Sequence, residues 1–169
     1  MQFIDTHSHL YSEQFDKDRS KVVTDAIALG VQTILLPNIS SKYTKGMLTL
    51  CSEFPNNCYP MMGLHPCDVT KKNYDSEIAH VEEKLATKKY IAVGEIGLDL
   101  YWDKNTLEIQ KQAFIHQIEL AKKYNLPIAI HVRDAFSEAI DIIEKLNDKN
   151  LRGVFHCFTE KIENAQRVI

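Results

Sequence analysis

The 169-residue sequence predicts an α/β fold of the TIM type, a (β/α)8 barrel of which about six of the eight strands are present. Three observations predict it. Short apolar runs recur at 2–5, 31–36, 58–62, 90–94, 127–131 and 151–156, with starts separated by 29, 27, 32, 37 and 24 residues, the pitch of a strand, a helix and two loops. The stretches between them switch to helical periodicity. The runs themselves are almost wholly apolar, as parallel strands covered on both faces by crossover helices must be. An open doubly wound sheet shares this pattern, but no G-x-G-x-x-G follows the first run, so its dinucleotide-binding version loses its main support.

Each element follows from a local signal. The first run ends in Asp5-Thr6-His7-Ser8-His9, two histidines that share a face if the chain stays extended. Val22, Val23, Ile27 and Leu29 form a helical stripe that ends at Gly30, where a C-cap glycine belongs. Ile78, Val81, Leu85 and Ala86 form a second stripe, Ile109, Phe114, Ile118 and Leu120 a long one over about 105–124, and Ala139, Ile140, Ile143 and Leu146 a fourth. A sixth helix is expected to start near Lys161.

Size and composition suit one domain over 1–169, since 44% of the residues are hydrophobic and no linker or low-complexity tract interrupts them. A net charge of -3 and a pI near 6.2 exclude a basic protein that coats nucleic acid. They leave room for an enzyme that takes one nucleic-acid end into a pocket where metal ions supply positive charge. The four cysteines lack C-x-x-C spacing and read as free thiols. With no leader pattern and no apolar run of membrane-spanning length, a cytoplasmic protein without membrane contact is the expectation.

The polar residues that interrupt the strands cluster at one end of them. His7 and His9 follow the first strand, His65 the third and Glu95 the fourth, while His131 and His156 end the fifth and sixth. In a parallel barrel those C-terminal ends form the rim where active sites are built. His7, His9, Glu95, His131 and His156 therefore predict a metal site, with His65 either a substrate-binding or ligand-orienting group or simply part of a turn before Pro66. Imidazoles with a carboxylate suit a transition metal better than calcium, and a shared carboxylate would allow two ions. His80 and His116 fall within helical stretches and are expected on the surface.

In order, D-T-H-x-H at 5–9, G-x-H-P at 63–66, G-E-x-G-L-D at 94–99, H-x-R-D-A at 131–135 and H-C-F at 156–158 resemble the TatD family of metal-dependent deoxyribonucleases, within the amidohydrolase-like barrels. The resemblance implies a divalent-metal hydrolase of DNA phosphodiester bonds, a 3'-5' exonuclease on single-stranded ends, using one or two ions of Mg, Zn or Mn. It implies that His7 and His9 hold one ion, His131 and His156 the other, and that Glu95 bridges them as the catalytic carboxylate. Arg133 is expected to face a substrate phosphate, or else an acidic neighbour in a salt bridge. Tyr101 and Trp102 are placed on the same rim to stack a base or pack the loop. Asp134 is expected to cap the next helix.

One departure stands out. The family pattern carries a later Asp that completes the His7–His9 site, and no such residue occurs by Ile169. The expectation is a C-terminally truncated form with weak or absent activity. Two alternatives stay open: hydrolysis of an amide, lactone or aminoacyl ester at the same metals, and a non-catalytic chain that self-associates through open strand edges.

Overall fold

The computed structural model describes residues 1–169. Its elements alternate along the chain as β1 (Phe3–Asp5), α1 (Arg19–Ala28), β2 (Val31–Leu36), α2 (Ser41–Glu53), β3 (Cys58–Pro60), α3 (Tyr74–Ala86), β4 (Val93–Asp99), α4 (Leu107–Tyr124), β5 (Ile128–Arg133), α5 (Phe136–Leu146), β6 (Gly153–Phe155) and α6 (Ile162–Val168). All strand pairs are parallel, in two three-stranded sheets ordered β1-β2-β3 and β4-β5-β6. A single bridge between Met62 and Val93 links the two sheets, so the strands stand in chain order. The α/β alternation expected from the apolar runs is thus present, as six strands with β1 and β6 as free edges rather than a closed ring of eight.

The row curls. His7, just after β1, and His156, just after β6, stack their rings with centroids 3.5 Å apart, which brings the C-terminal ends of the two edge strands together. Alternation along the strands then divides the core. Ile128 and Ile130 face the helices and join a 28-residue buried cluster with Ile34, Leu36, Met47, Leu85, Phe114 and Ile118. Ala129 faces the inside of the curl with only Met61 and Ala92 as buried companions. The helix-facing layer therefore carries most of the hydrophobic stabilisation.

Helix ends follow ordinary capping chemistry. Gly30 adopts φ +104° just past α1, and Asn125 takes the left-handed conformation just past α4. Two stripe members miss the core, since Leu29 and Ala86 lie exposed beyond or at the end of their helices. α2 buries Thr44, Met47 and Leu50, a stripe blurred in sequence by its threonine. His80 and His116 lie half-buried at the surface between helices, bonded to Thr44 Oγ1 and Glu82 Oε1 at 2.9 and 2.8 Å. No helix is long and apolar enough to cross a membrane.

The largest shift from expectation concerns β4. It begins at Val93 instead of 90 and runs on to Asp99 with all seven residues buried, while β5 continues to Arg133. Glu95 therefore lies inside its strand rather than after it, and His131 inside its strand rather than at its end. A buried charge is tolerated there because partners surround it, so a polar residue did not mark the strand's end.

Candidate metal centre

Glu95 lies at the centre of the site. It is 2% exposed, and each of its carboxylate oxygens serves a different group of imidazoles. Oε2 lies 3.1 Å from His7 Nε2 and 3.2 Å from His9 Nε2, and the two Nε2 atoms are themselves 3.2 Å apart. Oε1 lies 3.0 Å from His131 Nδ1 and 3.9 Å from His65 Nε2. Within each trio, His7–His9–Glu95 and His65–Glu95–His131, the ligand atoms lie within 4.8 Å of one another. Burial alone would raise the Glu95 pKa, but hydrogen bonds from His131, His7 and His9 overcome it and hold the carboxyl far below the ordinary range.

Backbone geometry sets the Oε1 side. Gly97 pairs with His131 and Asp99 with Arg133 across β4 and β5. Gly97 has φ +143°, and a Cβ there would fall 1.9 Å from the His131 carbonyl oxygen, so only glycine admits this approach. Asp99 Oδ2 stands 2.8 Å from His131 Nε2, and its Oδ1 accepts the Tyr101 N–H at 2.9 Å. Burial disfavours both charges, yet the His131–Asp99 and His131–Glu95 contacts prevail, lowering the Asp99 pKa and raising that of His131. Both ring nitrogens of His131 thus face carboxylate oxygens, an arrangement that favours the protonated ring.

Hydrogen-bond partners also decide which ring nitrogens can ligate. Tyr11 donates its hydroxyl hydrogen to the Pro37 carbonyl and so must accept from His9 Nδ1, at 2.7 Å. That makes Nε2, turned toward Glu95 Oε2, the His9 ring atom available to an ion. His131 gives its Nε2 hydrogen to Asp99, leaving Nδ1 for an ion once it loses its proton, the carboxylate–histidine arrangement that orients metal ligands. His65 is the opposite case. Its Nδ1 accepts the Cys67 N–H at 3.1 Å, so the neutral ring carries its hydrogen on Nε2 and presents a donor to the opening. Burial pushes its pKa down to about 4, which keeps the ring neutral.

His156 lines the same opening as His7, Ser8, His9, Gln14, His65, Glu95 and His131, but its ring stacks on His7 and belongs to neither trio. Burial, then the neighbouring His7, lowers its pKa. Arg133 forms no salt bridge; its guanidinium lies 3.4 Å above the Tyr101 ring centroid, and Tyr101 meets Trp102 edge to face at 4.8 Å. Asp134 does not cap α5: it takes φ +55°, the N-cap position falls to Ala135, and no side-chain cap bond forms. Sequence reading assigned no role to Asp99 or Tyr11. Asp99 had a signal, since it shares a strand face with Glu95 at i+4, but Tyr11 had none before the Pro37 carbonyl was in place.

The donor set fits divalent ions. Imidazole nitrogens approach one shared carboxylate from two sides, a donor set suited to divalent metal ions. Comparison with known proteins agrees. Residues 4–169 match the model of the TatD related DNase family. Curated relatives include the uncharacterized metal-dependent hydrolase YabD of Bacillus subtilis, 36% identical over 162 residues, covering 96% of this chain and 63% of that protein. Another is the 3'-5' ssDNA/RNA exonuclease TatD of Escherichia fergusonii, 34% identical over 161 residues and covering 95% and 61%. The crystal structure of YjjV, a TatD homolog from Escherichia coli, superposes with TM-score 0.88 at 29% identity, covering 98% of this chain and 64% of that one. The chain spans about three-fifths of the length of the curated relatives it matches. By sequence and by fold, the chain belongs to the TatD related DNase family.

Proposed function

We propose that the site hydrolyses phosphodiester bonds in DNA with one or two divalent ions, removing nucleotides from single-stranded 3' ends. One observation carries the reading: a single buried carboxylate, Glu95, divides its oxygens between two imidazole groups. His7 and His9 would hold an ion on the Oε2 side and His131 on the Oε1 side, with His156 the further imidazole at the opening. When bound, such ions supply Lewis-acid charge for phosphoryl oxygens.

The protein's own groups then have separate tasks. Burial opposes the charge on Glu95, and hydrogen bonds from His131, His7 and His9 outweigh it and favour the ionised form. Asp99 and Tyr11 fix ring orientation from behind. His65 directs an N–H into the opening, where it would donate to a non-bridging phosphate oxygen. Asp5 is turned away, accepting the His7 backbone N–H at 3.1 Å, so Glu95 is the one carboxylate facing His7 and His9. With no second carboxylate there to take a proton from water, turnover by these 169 residues alone should be slow. The name of the E. fergusonii relative, an exonuclease of single-stranded DNA and RNA, supports the substrate class.

The test is an end-labelled single-stranded oligodeoxynucleotide incubated with the purified 169-residue protein and Mn2+, beside RNA, a lactone and an aminoacyl ester. The expected result is slow, stepwise shortening from the 3' end that chelation stops and His131→Ala reduces to background. Shortening that survives both treatments, or faster turnover of the lactone or ester, would overturn the reading.

A further inference from the structure

We infer that Trp102 and Arg133 form a nucleotide platform beside the centre, which binds one unpaired base and its phosphate and makes the site selective for single strands. The inference rests on the nucleic-acid reading above and locates its strand preference away from the metal-binding groups. The position comes from strand register. Arg133 lies two residues beyond His131 on the same face of β5, about 7 Å along the strand, opposite Asp99 on β4. Asp99 contacts the His131 ring through one oxygen and holds the Tyr101 backbone through the other, so one carboxylate fixes the start of the aromatic pair relative to the centre.

The side chains are disposed to receive a ligand. The other three arginines, Arg19, Arg152 and Arg167, hydrogen-bond protein oxygens through their guanidinium groups. Arg133 has no such bond, and its contact is the Tyr101 ring, which restrains the guanidinium while leaving its N–H edge free for a phosphate. That contact also occupies one face of Tyr101, and Trp102 meets its edge, so Tyr101 serves as a support. Trp102 is 74% exposed, a large apolar surface held against a partner at a rim and covered by nothing. A base stacks on such a surface only when it is unpaired, and an anion beside it meets the free guanidinium. Together these describe a nucleotide of single-stranded nucleic acid.

Trp102 is the protein's single tryptophan, so its emission reports on the platform alone. The experiment titrates the 169-residue protein, with chelator present to prevent cleavage, with oligothymidylate and with an abasic strand of equal phosphate number. Binding is followed by Trp102 emission and by anisotropy of the labelled strand. We expect oligothymidylate to quench the emission and to bind about tenfold more tightly than the abasic strand, the ratio given by about 1.4 kcal/mol of stacking. Trp102→Leu should remove that difference, and Arg133→Gln should lower the salt dependence of both strands by about one counterion. Equal binding of the two strands, unchanged emission, or a base preference that survives Trp102→Leu would overturn the platform. Metal-dependent cleavage without base-dependent quenching would refute the platform and leave the hydrolase reading intact. Base-dependent quenching without cleavage would support the platform and count against that reading.

Discussion

The two oxygens of Glu95 face similar chemistry on unequal scaffolds. On the Oε1 side, His131 sits inside β5, paired with the fully buried β4 and braced by Asp99. On the Oε2 side, His7 and His9 stand on the loop after β1, a three-residue edge strand whose Phe3 and Ile4 are exposed. Their supports are a tyrosine hydroxyl and the ring of His156, itself after the exposed edge strand β6. Ligand identity is therefore not the only determinant of a candidate metal centre. One half inherits its geometry from strand register, and the other from loops that packing constrains less.

The difference can be broken most severely at Gly97. Gly97→Ala drives a Cβ into the His131 carbonyl, at a backbone angle that disfavours any side chain. A loss of about 3 kcal/mol or more is expected, read from the urea midpoint. A midpoint unchanged from that of the parent protein would show that β4–β5 register does not hold the Oε1 side.

The second comparison removes one brace from each half. Asp99→Asn should weaken Zn2+ binding at the His131 group by about 10–100-fold in calorimetry, the usual cost of losing a ligand's carboxylate partner. Tyr11→Phe should cost no more than about tenfold at the His7–His9 group, because a hydroxyl polarises imidazole less than a carboxylate does. Equal losses, or a larger one for Tyr11→Phe, would remove the asymmetry.

The smallest effect is on pH dependence. In metal-free protein the pKa of His131 is raised, so its contribution to stability is fully present below the unfolded value near 6.5 and is lost as pH rises through the folded value. His65, lowered to about 4, behaves oppositely: its contribution is present above about 6.5 and lost as pH falls toward 4. His131→Gln should remove the loss on the alkaline side, and His65→Gln the loss on the acid side. Urea midpoints measured from pH 4 to 9 check both. Because Zn2+ must displace the His131 proton, its affinity should also rise with pH, with proton release on binding.

Much of this organisation was legible from residue order. Five histidines and one glutamate, at the ends of five of the six apolar runs, placed the opening at the C-terminal strand ends, and the structure brings all six of those groups to it. Less legible was where strands stop. Glu95 and His131 ended their apolar runs in the sequence, yet both lie within strands, because their charges are matched by partners from other segments. Asp99 belonged to a motif but acquires its task only when β5 lies alongside. The ring state of His65 depends on the Cys67 backbone amide, a relation that no side-chain pattern encodes. Arg133 illustrates the same limit. Charge suggested a salt bridge as one of its two readings, whereas its partner within the protein is an aromatic face.

The central claim is that Glu95 is shared by two sites of unequal strength, and anomalous diffraction tests it most directly. Crystals of the 169-residue protein would be equilibrated with Mn2+ at a limiting and then a saturating concentration. The account predicts a first peak between Glu95 Oε1 and His131 Nδ1 and, at saturation, a second beside Oε2, His7 and His9. A first peak at His7 and His9, or saturation with no ion touching Glu95, would contradict it.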